Sequence, residues 1–166
     1  MRIVIGSDKS GFVLKEAIKT YLLDNGYQVD DLGTQEIDKP IPFFEVAPLV
    51  ATAIQKGMDD KGILCCGTGM GMSVVANKFK GITAAVCESV YSARLSRAVN
   101  DSNILCMGGW LIADWLGVEL TKSFLNTNFT QDLEEWRKDW LKNAKNKIME
   151  LENIQFYSAN QKGKEV

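Results

Sequence analysis

The sequence predicts an α/β fold, a three-layer α/β/α sandwich on a five-stranded parallel sheet, with a long C-terminal amphipathic helix added to it. Two patterns carry that expectation. Short runs that are apolar on both faces alternate with stretches of helical periodicity, which is how parallel strands covered by helices on both sides read. Beyond residue 130 the pattern changes to a single apolar stripe on a heavily charged segment.

The first strand is RIVIGSD (2–8). A helix over 11–25 follows, in which Val13, Leu14, Ala17, Ile18, Tyr21 and Leu22 recur at helical spacing until Gly26 stops it. YQVDDLG (27–33) reads as a second, edge-like strand. In TQEIDKPIPFF (34–44) Pro40 and Pro42 exclude regular structure, so a loop is expected there. A helix over 45–57 comes next, with Pro48 in its first turn. GILCC (62–66) is the third strand, and 70–78 is a short helix behind a glycine loop. GITAAVC (81–87) and NILCMGG (103–109) are the fourth and fifth strands, followed by helices over 91–98 and 111–126.

From 131 to 153, Leu133, Trp136, Trp140, Ala144, Ile148 and Leu151 fall on one helical stripe. The unit before it is already complete, so this helix is expected to pack on a second subunit; the alternative is that it folds back on its own domain. Three segments result: an α/β domain over 1–129, the helix over 130–155 and a frayed tail over 156–166.

A chain of 166 residues that is 46% hydrophobic has room for one globular domain with a substantial core. Its net charge of -2 gives no basic surface for nucleic acid. No apolar segment approaches the length that spans a bilayer. Met1 and Arg2 lead directly into a strand and not into a signal peptide, so a cytoplasmic location is expected. The four cysteines, Cys65, Cys66, Cys87 and Cys106, show no C-x-x-C spacing. Adjacent Cα atoms lie about 3.8 Å apart, too close for an unstrained Cys65–Cys66 bridge. Structural zinc is equally disfavoured, and reduced thiols fit better. There is no histidine.

Open α/β sheets bind ligands outside the carboxyl ends of their strands. Three such ends are distinctive here: GSDKSG, CCGTGMGMS and CESVYSARLSRAVNDSN. None is a dinucleotide or P-loop fingerprint. A glycine run opening a helix still exposes backbone N–H groups near a positive dipole end, suited to a phosphate or an oxyanion. Cys66 adjoins those glycines, where a thiolate is favoured and can act as a general base. Cys65 should point to the opposite face of the strand. Cys65, Cys87 and Cys106 read as small core hydrophobes.

GILCCGTGMGMSVVANK followed by GITAAVCESVYSARLSRAVNDSNILCMGG, with GSDKSGFVLKEAIKTYL and GYQVDDLGT before them, resembles the ribose-5-phosphate isomerase B / galactose-6-phosphate isomerase family of sugar-phosphate isomerases. The resemblance runs from residue 1 to about 129. It implies a Rossmann-like fold, a homodimer or dimer of dimers with shared active sites, and no metal or organic cofactor. It also implies aldose–ketose interconversion of a small-molecule sugar phosphate through a cis-enediolate. Cys66 falls on the catalytic cysteine that moves a proton between C1 and C2, with Thr68 beside it as a second catalytic candidate. The N–H groups of Gly67, Gly69, Met70 and Gly71 would hold the enediolate oxygen, and Thr68 and Ser73 would line that loop. Asp8 matches an acidic residue that meets sugar hydroxyls, and Asn100 the asparagine of an H-N-D segment. Asn77 and Lys78 are expected to fix helix and loop.

The departures narrow the expectation. Lys9 stands where the family usually has histidine, and still offers a cation to a phosphate. Val99 stands in place of the histidine credited with opening the sugar ring. IPFFE, with Phe43 and Phe44, replaces a Y-P-D-Y-type segment, and only Arg137 remains as a C-terminal phosphate ligand. Glu88 could partly replace the lost acid/base. Arg94 and Arg97 read equally as phosphate contacts or a solvated face, and Trp110 and Trp115 as core or interface. The proton-transfer half of the site is thus expected to be intact and the ring-opening half lost. Such a site suits an open-chain substrate such as a tetrulose phosphate, or the ring-opened fraction of a pentose or hexose phosphate. Two other readings stay open: one subunit of a heteromeric galactose-6-phosphate isomerase, and a non-catalytic sugar-phosphate binding module.

Overall fold

A computed structural model of the chain describes residues 1–162, with side chains described as far as Tyr157. Five parallel strands form one sheet: β1 (Arg2–Ser7), β2 (Gln28–Asp31), β3 (Lys61–Cys66), β4 (Ala84–Val86) and β5 (Ile104–Gly108). Between and after them run α1 (Phe12–Asp24), α2 (Phe43–Gln55), α3 (Met70–Ala76), α4 (Val90–Ala98), α5 (Asp114–Leu125) and α6 (Glu135–Lys162).

Alternation along the strands builds two cores. Ile3, Ile5, Ile63 and Leu105 face one side, where they meet Leu14 and Ile18 of α1, Ala93 of α4, and Leu120 and Phe124 of α5. Val4, Leu64, Ile104 and Cys106 face the other, against Val46 and Val50 of α2 and Met72 and Ala76 of α3. The expected three-layer sandwich is what forms. Strand order is β2-β1-β3-β5-β4. The chain leaves β1 toward one edge and returns to β3 on the other side, so the carboxyl ends of β1 and β3 flank the topological switch point, where α/β sheets bind ligands. Ser7 pairs with Cys65 and Cys66 with Gly108 at those ends.

Several boundaries differ from expectation, each for a local reason. Helix α2 starts at Phe43, inside the expected loop, because extended Pro42 caps it and its carbonyl accepts the N–H groups of Glu45 and Val46. Pro48 consequently lies within the helix and not in its first turn. Strand β4 is shorter because Asn103 takes the preceding backbone instead: its Oδ1 accepts from Thr83 N (2.8 Å) and its Nδ2 donates to Gly81 O (2.7 Å). Helix α5 begins at Asp114, since Leu111 and Ile112 donate back to Gly108 O in a turn. The tail expected from 156 is helical as far as Lys162, and no glycine or proline precedes Gly163 to end α6 sooner. Residues 163–166 lie outside the described residues.

Helix α6 does not fold its stripe back on its own domain. Leu141 is buried, while Trp136, Trp140, Ile148 and Leu151 are exposed. Its polar contacts to the body include Lys145 with Asp101 and Glu152 Oε1 accepting from Gly81 N (2.7 Å). Both partners precede the amino ends of strands, so α6 runs past the edge of the sheet opposite the switch point. Among the described residues no helix is long and apolar enough to cross a membrane.

A buried ion cluster, which the apolar pattern of α1 conceals, holds the chain after β2. The Lys15 side chain is fully buried, and its Nζ donates to Asp31 Oδ2 (2.6 Å) and Thr34 O (2.7 Å). Lys19 Nζ reaches the same carboxylate oxygen at 2.8 Å. Burial pushes the Asp31 carboxyl up, but the hydrogen bonds from Lys15 and Lys19 outweigh it and hold the pKa below its ordinary value. A depressed folded-state pKa contributes stability above the unfolded value of about 3.9, lost as pH falls through the folded one. Urea unfolding across a pH series should therefore show stability falling below about pH 4. Asp31→Asn should lower neutral-pH stability by about 3–5 kcal/mol, because Lys15 loses its buried anion, and should flatten that acid limb.

Candidate active site

Three strand exits interlock at the carboxyl edge. Asp8 N donates to Cys65 O (3.3 Å), Gly109 N to Cys66 O (2.7 Å) and Trp110 N to Gly67 O (3.0 Å). The loop after β3 is thus held by the loops after β1 and β5 on either side. Asp8 Oδ1 accepts from Ser10 N (2.9 Å) and Gly11 N (3.0 Å), which turns the chain into α1.

Cys66 belongs to the core on the α2/α3 side and Cys65 to the core on the α1/α5 side, the opposition expected of adjacent strand residues. Burial pushes the thiols of Cys65, Cys87 and Cys106 up, so these three stay protonated core groups. Cys66 is 5% exposed, and its Sγ accepts the N–H of Gly69 at 3.1 Å. That amide complements negative charge on the sulfur. Gly69 can deliver it because its backbone is left-handed, φ 77°, as it opens α3. Met70 N donates to Thr68 Oγ1 at 3.3 Å. Two of the four amides expected to hold an oxyanion are therefore engaged within the loop.

The structure gathers Asp8, Lys9, Cys66, Gly67, Thr68, Gly69, Met70 and Gly71 at this edge. It puts Ser73 to other use, since its hydroxyl donates to Ala84 O (2.9 Å) and ties α3 to β4. Asn77 brackets the same residue, accepting from Ala84 N (2.9 Å) and donating to Ala84 O (2.8 Å). Asn100 and Arg137 are not brought to Cys66 within one chain. Asn100 and Val99 follow α4, which descends from the carboxyl edge, so they lie at the amino end of β5. Arg137 is exposed near the start of α6 and has no side-chain hydrogen bond or ion pair among the described residues. Arg97 is neither a solvated face nor open to a phosphate. It is buried, and its guanidinium donates to Asp101 (2.7 Å), Ser102 O (2.7 Å) and Thr127 O (3.2 Å). Glu88 is exposed at the end of β4, with β5 between it and the Cys66 strand.

Two aromatic residues adjoin the loop: Trp110, which is exposed, and Phe43, which is half-buried against the core on the α2/α3 side. A Cβ placed on Gly67 would lie 2.7 Å from the Trp110 ring, and one on Gly71 would lie 3.0 Å from the Phe43 ring. Trp110 is 72% exposed. Its place was detectable: Gly-Gly-Trp ends the fifth strand at the edge that carries Cys66. Phe43 also lines a cleft of about 270 Å³ with Asp8, Lys9, Pro40, Ile41 and Pro42.

The chain as a whole, and not only this edge of the sheet, has counterparts among known proteins. A family model described as Ribose/Galactose Isomerase matches residues 3–140. The chain belongs to the ribose/galactose isomerase family. Among its relatives, the 4-deoxy-4-sulfo-D-erythrose isomerase of Clostridium sp. (strain MSTE9) is 56% identical over 92% of this chain and 96% of the relative. The ribose-5-phosphate isomerase B of Escherichia coli (strain K12) is 42% identical over 75% of this chain and 80% of its own. In three dimensions, the ribose-5-phosphate isomerase B of Clostridium thermocellum superposes with a TM-score of 0.85 at 37% identity, over 93% of this chain and 99% of its own. Family and fold therefore agree.

The left-handed turn at Gly69 is testable. A Cβ there would meet the backbone of Met107 at 2.9 Å. Gly69→Ala should cost at least about 1–2 kcal/mol in a denaturant melt, from the left-handed backbone alone, and should lower isomerase turnover by displacing the amide on Cys66.

Proposed function

We propose that this chain interconverts an open-chain, four-carbon aldose bearing a terminal anion with its 2-ketose, and that 4-deoxy-4-sulfo-D-erythrose is the substrate that suits it best. The observation that carries this reading is a proton-transfer loop built around Cys66 in a chain with no histidine, with Val99 at the ring-opening position. An aldose with sulfur in place of its C4 hydroxyl cannot close a five-membered ring. Its aldehyde needs no acid to release it, so the missing imidazole costs nothing. The relative at 56% identity acts, by its name, on that sugar. Among the described residues Lys9 is the one cation lining the cleft, beside Asp8, which suits a monoanionic sulfonate.

In this mechanism the Cys66 thiolate removes the proton from C2, and the aldehyde oxygen takes up the charge as the enediolate forms. Amides of Gly67 and Gly71 stabilise that oxygen, while those of Gly69 and Met70 stay on Sγ and Thr68 Oγ1. Thr68 Oγ1 passes the O2 proton to O1, and the proton on sulfur returns to C1 to give the ketose. Asp8 and Lys9 hold the hydroxyls and the terminal anion. Asn100 and Arg137 take part only if a second copy brings them, and the apolar stripe on α6 supports such a copy.

In deuterated water the chain should exchange the C2 proton of 4-deoxy-4-sulfo-D-erythrose much faster than that of ribose 5-phosphate. Cys66→Ala should cut the rate by about 10²–10⁴-fold while keeping ligand-induced thermal stabilisation. Unchanged turnover in that variant would falsify the thiol mechanism, and stabilisation without exchange in the unaltered chain would favour a binding module. On α6, Trp140→Lys should shift the chain toward monomer in sedimentation if a second copy covers that stripe.

A further inference from the structure

We propose that Trp110 is a specificity-determining residue, a wall on the Cys66 loop that, opposite Phe43, admits a four-carbon chain and obstructs longer or cyclic sugars. The inference rests on the isomerase reading above and adds a determinant for it.

The geometry is that of a wall and not of core packing. A Cβ on Gly67 would lie 2.7 Å from Trp110 Cε3 and 2.8 Å from both Cδ2 and Cζ3. Three contiguous ring atoms at nearly one distance mean that the indole presents its face, not its edge, to the loop. Only a residue without a side chain lets the ring lie that close. The base of the residue is fixed by Trp110 N donating to Gly67 O at 3.0 Å, whereas 72% of its surface stays open. At the other end of the loop a Cβ on Gly71 would meet Phe43 Cε2 at 3.0 Å and Cδ2 at 3.1 Å. Phe43 is braced in turn by an edge-on contact with Phe44, ring centres 5.4 Å apart. The stretch that is to hold the reacting oxygen therefore runs between two flat, stiff side chains with few rotamers.

A substrate must put C1 and C2 against this loop and its terminal anion near Lys9, in the cleft that Phe43 also lines. An open four-carbon chain passes between the rings in that pose. Each further carbon, and still more a furanose ring, must displace one of them. In an apolar slot a single methylene changes relative rates by about 10–200-fold, which sets the scale to expect.

The test compares Trp110→Ala and Trp110→Phe with the unaltered chain. The kcat/KM for 4-deoxy-4-sulfo-D-erythrose and erythrose 4-phosphate is set against that for ribose 5-phosphate. Calorimetric binding of 4-phosphoerythronate and 5-phosphoribonate, non-isomerisable acids of the two lengths, gives a readout independent of turnover. Trp110→Ala should narrow the preference for four carbons by about tenfold or more in both measurements, and Trp110→Phe, which keeps a flat ring, should preserve it. An unchanged ratio in Trp110→Ala, with the unaltered chain active on four-carbon sugars, overturns the wall and leaves the isomerase reading standing. So does a variant that alters only the sedimentation coefficient, since Trp110 is then a subunit contact. An unaltered chain that neither exchanges nor binds any of these compounds overturns the isomerase reading and the wall together.

Discussion

Everything at the site depends on three consecutive carbonyl groups. Those of Cys65, Cys66 and Gly67 accept from Asp8, Gly109 and Trp110, residues of the neighbouring exit loops. In most parallel sheets the ladder ends with the strand and the loops beyond are free to vary. Here backbone pairing continues past the last regular residue of β3, so the thiol and the amide aimed at it are positioned by hydrogen bonds from both sides. A buried, fully paired backbone of this kind has few alternative arrangements of similar energy. That rigidity lets a short turn serve as a preorganised electrostatic site.

Much of this could be read from the sequence, for reasons that can be traced to particular residues. Strands such as RIVIGS and GILCC are apolar on both faces, which only a parallel sheet covered on both sides accommodates, so the layers followed directly. Cys65 and Cys66 were separable because strand side chains alternate. What stayed hidden depends on contacts between distant segments. Lys15 sits on a helix face where a charge looks solvated, and only the return of the chain past Asp31 and Thr34 buries it. Arg97 looks like a surface cation until α5 and the 101–103 turn close over it. Ser73 and Thr68 look alike as loop hydroxyls, yet one faces β4 and the other its own turn. The start of α2 at Phe43 was obscured by reading Pro42 as a breaker when its carbonyl begins the helix.

Under the proposed function, the absence of histidine reads as selectivity and not as decay. Ring opening and proton transfer are separate chemical demands, made by different atoms of the sugar. A substrate that is never cyclic removes the first demand and leaves the second untouched. Under the proposed function that division follows the fold: Cys66 is held in the loop after β3, while Lys9 and Val99 lie in the segments after β1 and α4.

The course of α4 carries a last consequence. It delivers residues 99 and 100 to the edge of the sheet farthest from their own Cys66, so they do not serve that thiol within one chain. If two copies share the site as proposed, a mutation at 99 rewrites the partner's active site without disturbing the folding of the loop it serves. Ring opening and proton transfer are then heritable as independent modules, and a lineage can discard one while selection continues to refine the other.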